Sequence, residues 1–202
     1  MTTQYHDNVL SDAALGQLFN DARTYNGWLD KDVSEEQLHR IYDLLKMAPT
    51  SANQQPARIV WVKSQEQKDK LADCASEQNA PKIKQAPVTA IIGYDIDFHE
   101  ELPWLFPHTD AKSWFEGDVE GRIESAKRNS ALQGAYLIMA ARAVGLDCGP
   151  MSGVDLDKIT EEFFADEPQH RADWVCSIGY GDPESIFDRS PRPDFDKFTR
   201  II

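Results

Sequence analysis

Residues 48–56, Ala48-Pro49-Thr50-Ser51-Ala52-Asn53-Gln54-Gln55-Pro56, place five hydrogen-bonding side chains between a predicted helix and a predicted strand. Small residues let the backbone of such a stretch approach a flat ligand closely, and Ser51, Asn53 and Gln55 can donate to and accept from its edge. The same residue types also populate ordinary solvated turns. The composition of the stretch favours neither interpretation over the other.

Regular elements are predicted on both sides of this stretch. The sequence at 34–37, Ser-Glu-Glu-Gln, has the pattern of a capping box, and apolar residues then recur at helical spacing as far as Pro49. Residues 58–62, Arg-Ile-Val-Trp-Val, are β-branched and aromatic and predict a buried strand. The polar stretch is therefore expected to join a helix to a strand.

The remaining elements follow from the same periodicities. Helices are predicted at 65–75, 120–144 and 155–164, and strands at 88–92 and 174–180. The helix at 120–144 is small and apolar on several faces, as central or interface helices are, and Gly145 is expected to cap it. Residues 149–153, Gly-Pro-Met-Ser-Gly, predict a compact turn. Together these elements predict an α+β fold in which helices cover a central sheet.

Residues 98–118 interrupt this regularity. They contain two aromatic pairs, Trp104 with Phe106 and Trp114 with Phe115, and no clean period. They predict an excursion or lid, whose aromatic side chains either line a substrate pocket or pack the excursion onto the core. With 202 residues, the chain is expected to form one domain over 1–202.

Composition narrows the classes of protein. Lys and Arg total 21 against 34 Asp and Glu, a net charge of -13, which argues against a nucleic-acid partner. The three cysteines are far apart and odd in number, which fits a reducing compartment. No targeting sequence is recognised, and no apolar run approaches the roughly 20 residues that span a bilayer. A cytoplasmic protein without a membrane partner is expected.

Several common catalytic signatures do not occur in the sequence. Neither GxGxxG nor GxxxxGKS/T is present, so a Rossmann dinucleotide site and a P-loop are both unsupported. The nucleophile elbow GxSxG and the metal motif HExxH are also missing. No Cys or His ligand cluster occurs, and no metal site is expected.

Dispersed polar groups remain that suit a large, flat, anionic ligand. Arg23 and Thr24 could hold a phosphate, and Lys82 could stabilise negative charge on a ring. Each could equally be an ordinary solvated side chain. Asn129 and Gln133 interrupt an apolar helix and need partners, which are either a ligand or protein backbone.

In order and spacing, these groups resemble the nitroreductase family of FMN-dependent oxidoreductases over nearly the whole chain. The resemblance rests on Arg23-Thr24, residues 48–56, Asn79 with Lys82, residues 149–153, Ile178-Gly179-Tyr180-Gly181 and Arg189. Shorter segments are similar to the branch that includes the malonic semialdehyde reductase of uracil breakdown: Asp21-Ala22-Arg23-Thr24, Asn26-Gly27-Trp28, Leu105-Phe106-Pro107-His108, Ser113-Trp114-Phe115 and Arg128-Asn129-Ser130. The resemblance implies a central, mostly antiparallel sheet flanked by helices and an intertwined homodimer with two flavins at the subunit interface.

The resemblance also implies the residues of the cofactor site. They are Arg23, Thr24, Asn26, Pro49, Thr50, Ser51, Asn53, Gln55, Asn79, Lys82, Asn129, Gln133, Pro150, Met151, Ser152, Arg189 and Arg192. Arg23 and Arg189 would clamp the FMN phosphate, residues 48–56 would contact the isoalloxazine edge, and residues 150–152 would lie near flavin N5. Asn79 and Lys82 would reach the ribityl and pyrimidine side, where Lys82 would stabilise the reduced flavin.

The first site departs from the family pattern. Many members carry Arg-x-Ser-x-Arg or Lys there, whereas this chain reads Arg-Thr-Tyr-Asn-Gly at 23–27. The second cation is therefore missing, and phosphate binding would depend more heavily on Arg189 or Arg192.

The chemistry that the resemblance implies is ping-pong hydride transfer through flavin N5, from NAD(P)H to a small acceptor, without an obligatory side-chain base. The branch implies malonic semialdehyde as the acceptor and 3-hydroxypropionate as the product. Nitroaromatics or quinones are the alternative acceptors, and a flavin-binding protein without physiological turnover is an alternative of another class. The choice between NADH and NADPH stays open, because no Rossmann frame identifies a ribose-reading residue.

Overall fold

The computed structural model describes residues 9–202. The expected lack of a targeting sequence concerns residues 1–8, which lie outside the described residues. The helices are α1 (Asp12–Leu15), α2 (Glu35–Leu45), α3 (Gln65–Asp73), α4 (Ala80–Gln85), α5 (Leu102–Leu105), α6 (Val119–Ala143), α7 (Leu156–Phe163) and α8 (Phe195–Phe198). The strands are β1 (Ala57–Val62), β2 (Val88–Asp95), β3 (Asp147–Met151) and β4 (His170–Gly179). A π-helical turn, Gly16–Asn20, follows α1 directly.

The four strands form one sheet in the order β1-β2-β4-β3, and every neighbouring pair is antiparallel. Helices cover both faces, which confirms the predicted α+β fold with a central antiparallel sheet. The strands predicted at 88–92 and 174–180 are longer than expected, because β2 and β4 continue past a β-bulge between Ile92 and Gly93. A bulge shifts the alternation of side chains that marks a strand in sequence.

The compact turn predicted at 149–153 is wrong in its first three residues, which belong to β3. Gly149 pairs with Ser177, and Pro150 pairs with Cys176, both in β4. Proline is tolerated in β3 because this strand lies at the edge of the sheet. Glycine and proline, which usually signal turns, here belong to an edge strand.

One face of the sheet is covered by α2 and α6. The predicted capping box is present, with the Ser34 hydroxyl and the Gln37 side chain satisfying each other's backbone N–H groups. Helix α6 runs for 25 residues and begins where the Asp118 carboxylate accepts from the Gly121 N–H at 2.9 Å. Gly145 follows this helix with a φ of 80°, the left-handed conformation that favours glycine.

The other face of the sheet is covered by α3, α4 and α7. Neighbouring residues of a strand point to opposite faces, so Ile92 packs beneath α2 and α6 while Ile91 packs on the other side. There Ile91 belongs to a buried cluster with Leu71 of α3, Ile83 of α4 and Ile159 of α7. The sheet is therefore the middle of three layers.

Residues 98–118 form an irregular excursion between β2 and α6, as predicted. Arg122 of α6 ties the ends of this excursion to the helix, because its guanidinium donates to the Ile96 carbonyl at 2.7 Å and to the Phe115 carbonyl at 3.2 Å. The same guanidinium pairs with Asp97 at 2.9 Å. Buried Phe98 lies at the centre of a small cluster beneath the excursion.

The four aromatic side chains of the excursion divide into two groups. Phe106 and Phe115 are partly buried and pack against this small cluster. Trp104 and Trp114 are 75% and 58% exposed. Core packing thus explains Phe106 and Phe115 and leaves Trp104 and Trp114 available for a ligand or a partner.

Within residues 9–202, no helix is long and apolar enough to cross a bilayer. In the same part of the chain, no group of three or more His, Cys, Asp or Glu residues is arranged to hold a metal ion. Cys74, Cys148 and Cys176 are free thiols.

Candidate cofactor site

A pocket of about 430 Å³, called the arginine pocket below, gathers several of the predicted site residues. Its lining consists of Phe19, Ala22, Arg23, Thr24, Asn26, Arg142, Phe187, Asp188, Arg189, Ser190 and Arg192. The segment after α1, the end of α6 and the carboxyl-terminal segment meet here. The fold therefore brings the predicted phosphate residues at 23–26 together with those at 189 and 192.

The four arginines of this pocket are held by carbonyl groups. Arg23 donates to the Phe187 carbonyl, Arg189 to the Asn20 carbonyl at 2.7 Å, and Arg142 to the Leu18 carbonyl at 2.9 Å. Arg192 donates to carbonyls of its own segment. Carbonyl acceptors fix the positions of these side chains without neutralising their charge.

None of the four guanidinium groups lies within 4.0 Å of a carboxylate oxygen among residues 9–202. Asp188 lines the pocket but forms no such pair. Elsewhere in the chain, Arg58 pairs with Asp95 at 2.7 Å and Arg128 pairs with Glu124. Four guanidinium groups without a carboxylate partner in the described part of a chain of net charge -13 make this pocket a candidate site for an anion.

The sequence did not indicate Arg142. It lies in the last turn of α6, where a basic residue is common because it complements the helix dipole. Only its position in the folded chain distinguishes it from such a residue.

The arginine pocket adjoins the beginning of β3. Thr24 forms an isolated parallel bridge with Cys148, and the Tyr25 N–H donates to the Cys148 carbonyl at 3.1 Å. Burial and the nearby Asp147 carboxylate raise the pKa of Tyr25, and the Arg23 guanidinium opposes this rise. The phenol therefore stays neutral and adds no negative charge beside the pocket.

Asn79 and Lys82 lie near the other end of β3. The Asn79 amide donates to the Gly153 carbonyl at 3.2 Å, and Lys82 follows one turn later on α4. Cys148 and Gly153 are five residues apart, about 16 Å of extended chain. An elongated ligand lying along β3 could reach from the arginine pocket to Lys82.

The residues at 149–153 contribute less side-chain surface than the sequence predicts. A Cβ on Gly149 would lie 2.6 Å from the Tyr25 carbonyl oxygen, and one on Gly153 would lie 2.7 Å from the Asn79 amide nitrogen. Both glycines thus make room for protein atoms. Met151 is 9% exposed and its side chain packs in the core, whereas Ser152 is exposed.

The polar stretch 48–56 is held by α6. The Ser51 N–H donates to the Asn129 side-chain oxygen at 2.8 Å, and the Asn129 amide donates to the Ser125 carbonyl at 2.9 Å. The Gln133 oxygen accepts from the Ala57 N–H at 2.9 Å, while its amide donates to the Gln55 side chain at 2.7 Å. The two buried amides of α6 therefore have protein partners at both of their polar atoms.

The backbone of this stretch is strained. Ala52, Asn53 and Gln55 have φ values of 50°, 50° and 42°, in the left-handed region that residues other than glycine rarely adopt. Such residues cost on the order of 1–3 kcal/mol each and cluster at ligand-binding segments. Pro49, Ser51 and Asn53 remain exposed, whereas Thr50 and Gln55 are half-buried.

The structure does not bring the stretch 48–56 to the arginine pocket of the same protomer. Asn129, which holds the stretch, and Arg142, which lines the pocket, are 13 residues apart on α6. That separation is about 20 Å along a helix axis. The stretch 48–56 is therefore held near the middle of α6, whereas the arginine pocket lies at the carboxyl-terminal end of this helix.

Comparison with known proteins identifies relatives of this chain by sequence and by fold. The model of the Nitroreductase family matches residues 22–182. A protein of Polynucleobacter asymbioticus with the provisional name NADH dehydrogenase/NAD(P)H nitroreductase is 55% identical over 195 residues, covering 96% of this chain and 99% of its own length.

Solved structures show the same fold. A Bacillus subtilis structure described as a nitroreductase superposes with a TM-score of 0.85 at 22% identity, over 94% of this chain and 99% of its own. One from Exiguobacterium sibiricum, described as a nitroreductase in complex with FMN, has a TM-score of 0.82 at 19% identity, over 96% and 99% of the two chains.

The chain belongs to the nitroreductase family. Membership confirms the predicted enzyme class, an NAD(P)H-dependent flavin oxidoreductase, and the predicted cofactors, FMN and NAD(P)H. The unpaired arginines fit the phosphate of FMN, because bidentate guanidinium groups suit phosphate oxygens.

Proposed function

We propose that this member of the family uses FMN and NAD(P)H to reduce malonic semialdehyde to 3-hydroxypropionate. One observation carries the assignment of the flavin site: four arginines that have no carboxylate partner among residues 9–202 share one pocket in an acidic chain. When bound, FMN accepts hydride from NAD(P)H and delivers it to the acceptor. The protein supplies binding, orientation and charge.

The arginine pocket would hold the phosphate. Arg23 and Arg189 would be the charged donors, because carbonyls fix both side chains and, within residues 9–202, both keep further N–H groups without an acceptor. Thr24 and Asn26 add neutral donors, and the Asn26 amide is oriented by the Ser185 carbonyl at 3.2 Å. Arg192 also lines the pocket.

Lys82 would stabilise negative charge on the reduced flavin. Its ammonium forms no hydrogen bond or ion pair within residues 9–202, although the residue is half-buried. Lys84, two residues later, pairs with Asp69 at 3.7 Å. A half-buried cation without a counterion is favourable where a ligand brings the negative charge.

The second protomer of a homodimer would supply the stretch 48–56 to each flavin. This arrangement follows from the separation of about 20 Å along α6, which one flavin would have to bridge within one protomer. Asn129 and Gln133 would then support the stretch through the hydrogen bonds described above and would not contact the cofactor. Thr50, Ser51, Asn53 and Gln55 would contact the flavin edge from the second protomer.

Exposed apolar residues support such a dimer. On α6, Leu132 and Tyr136 are one turn apart and 47% and 42% exposed. Near the carboxyl terminus, Phe195, Phe198 and Ile201 are 61%, 70% and 89% exposed. Large apolar side chains in such numbers indicate an interface. Within residues 9–202, β1 pairs with β2 and with no other strand, so its outer edge offers an intertwining segment a place to bind.

The excursion 98–118 would border the acceptor. Leu105 accepts a hydrogen bond from the Asn53 amide at 2.8 Å, which joins the excursion to the flavin-binding stretch. The rings of Phe106 and His108 lie 5.3 Å apart, and those of Phe106 and Trp114 lie 6.3 Å apart. These three residues belong to the segments that resemble the malonic semialdehyde reductase branch.

Flavin binding tests the core of the proposal. Protein purified with added FMN should be yellow, and anaerobic NADPH or NADH should bleach it within the dead time of manual mixing. A sample without flavin absorbance would contradict the FMN site. Bound flavin that neither nicotinamide reduces would instead favour the flavin-binding protein without turnover.

The acceptor needs a separate test. Steady-state kcat/KM should be highest for malonic semialdehyde among small aldehydes, quinones and nitroaromatics. The name of the Polynucleobacter asymbioticus relative favours nitroaromatics as the second candidate. A kcat/KM for a nitroaromatic or a quinone that exceeds the aldehyde value would replace the first proposal with the second.

The dimer and the single domain are tested independently of turnover. Removal of residues 193–202 should shift the protein towards monomer in analytical ultracentrifugation. A truncated protein that stays as dimeric as the full chain would contradict a role of these residues in the dimer. One cooperative unfolding transition would agree with a single domain.

We also propose a cytoplasmic location, where the three free thiols stay reduced.

A further inference from the structure

We infer that Arg142 binds the cofactor phosphate and supplies from α6 the cation that the segment 23–27 lacks. This inference rests on the proposed FMN site and adds a binding residue to it. The amino-terminal segment contributes one arginine to the pocket, and Arg142 contributes another from a distant part of the chain.

The π-helical turn Gly16–Asn20 positions Arg142. The Arg142 guanidinium donates to the Leu18 carbonyl at 2.9 Å, and the Gln17 amide donates to the Arg142 carbonyl at 2.6 Å. Both partners belong to this turn, so the backbone and the head of Arg142 are tied to one element. A flexible surface arginine has no such double attachment.

The same turn and the residues after it position Arg189. Its guanidinium donates to the Asn20 carbonyl at 2.7 Å and to the Ala22 carbonyl at 3.1 Å. One short segment therefore holds two arginines that are 47 residues apart in sequence. A single π-helical turn is uncommon and occurs frequently at functional sites.

Arg142 keeps donors for an anion. A guanidinium has five N–H groups, and the protein acceptors of Arg142, the Leu18 carbonyl and the Met139 sulfur, both involve Nη1. Within residues 9–202, Nε and Nη2 have no hydrogen-bond partner and no carboxylate lies within 4.0 Å of the guanidinium. Asp188 is the acidic residue in the pocket lining, and it forms no ion pair there.

Charge also favours this role. Four guanidinium groups in one pocket repel one another, and a phosphate with a charge near -2 offsets that repulsion through charge-assisted hydrogen bonds. A neutral ligand of the same shape would not offset this repulsion. The pocket should therefore discriminate FMN from riboflavin, and Arg142 should contribute to the discrimination.

The experiment compares two ligands that differ by the phosphate alone. Dissociation constants for FMN and riboflavin are measured by flavin fluorescence on apoprotein of the wild type, Arg142→Ala and Arg142→Lys. The control is Arg40→Ala, an exposed arginine on α2 outside the pocket. Arg142→Ala should weaken FMN binding about 10- to 100-fold, as expected for a lost charge-assisted hydrogen bond, and leave riboflavin binding unchanged.

Each other outcome has a distinct meaning. Equal losses for FMN and riboflavin, or no loss for either, would overturn the role of Arg142 while leaving the FMN site intact. A wild type that binds neither flavin would overturn the proposed function and this inference together. Arg142→Lys keeps the charge and loses the planar fork, so its preference for FMN over riboflavin, taken as the ratio of the two dissociation constants, should lie between those of the wild type and Arg142→Ala. If the alanine variant does not fold, the comparison of Arg142→Lys with the wild type decides the question.

Discussion

The Asn129 side-chain oxygen accepts a hydrogen bond from the Ser51 backbone N–H at 2.8 Å and thereby fixes the strained stretch 48–56 to α6. Asn129 is 4% exposed, and its amide is satisfied by the Ser125 carbonyl. We expect Asn129→Ala to lower the free energy of unfolding by about 1–3 kcal/mol, because the Ser51 N–H loses its partner. Urea denaturation monitored by tryptophan fluorescence measures the change.

Arg128→Ala is the matched control for this prediction. Arg128 is adjacent on α6, exposed and paired only with Glu124, so its loss should change stability by less than about 0.5 kcal/mol. Equal stabilities for the Asn129 and Arg128 variants would show that the hydrogen bond to Ser51 does not hold the stretch in place.

Gly134 lets α6 approach β4. A Cβ at this position would overlap the Trp174 ring, far closer than packed atoms allow. Gly134→Ala should therefore lower the free energy of unfolding by about 1–3 kcal/mol through overpacking, even though alanine is the better helix former. Thermal and urea unfolding of the variant check the sign.

The control for Gly134 is Ala135→Gly, at an exposed position of the same helix. It should lower the free energy of unfolding by about 1 kcal/mol from helix propensity alone. If Gly134→Ala were instead stabilising, the Trp174 ring would have to move freely, and close packing would not explain the glycine.

Much of the fold could be predicted from local pattern. The helix before residues 48–56 and the strand after them are correct, because a capping box, a helical period and Pro49 act within a few residues. Strand β3 could not be predicted, because Gly149 and Pro150 are ordinary turn residues and only the edge position makes them acceptable.

The site divides in the same way. The residue types for phosphate binding were visible at 23 and 189, but their meeting point depends on a pocket built by three distant segments. Arg142 carried no sequence signal, since a basic residue in a last helical turn is commonplace. The distance between the stretch 48–56 and the arginine pocket depends on the length and packing of α6, which no local pattern reports.

Lys82→Ala should weaken FMN binding or slow its reduction by NAD(P)H about 10-fold, because a half-buried cation beside the cofactor would be lost. Stopped-flow absorbance of the flavin measures the reduction, and fluorescence titration measures binding. Lys84→Ala is the control, since Lys84 lies on the same helix, is exposed and pairs with Asp69. If both constants of the Lys82 variant matched those of the Lys84 variant, Lys82 would have no role at the flavin.

Burial raises the pKa of Asp173 on β4 above its ordinary value of 3.8, and the Lys127 ammonium opposes the rise. The folded-state pKa lies above the unfolded one, so the charged carboxylate lowers stability at neutral pH. This loss disappears as pH falls through the folded pKa towards 3.8. Asp173→Asn should therefore raise the free energy of unfolding at pH 7, with a gain that shrinks in acid.

Urea denaturation between pH 3.5 and 7 measures this gain, and Asp166→Asn, at an exposed position, is the control. In the wild type, Lys127→Met should lower the free energy of unfolding further at neutral pH, because it removes the charge that opposes the effect of burial on Asp173. In the Asp173→Asn background the same lysine substitution should have a smaller effect, since no carboxylate is left to interact with it. A gain from Asp173→Asn that stays constant across this pH range would contradict burial of the carboxylate as its cause.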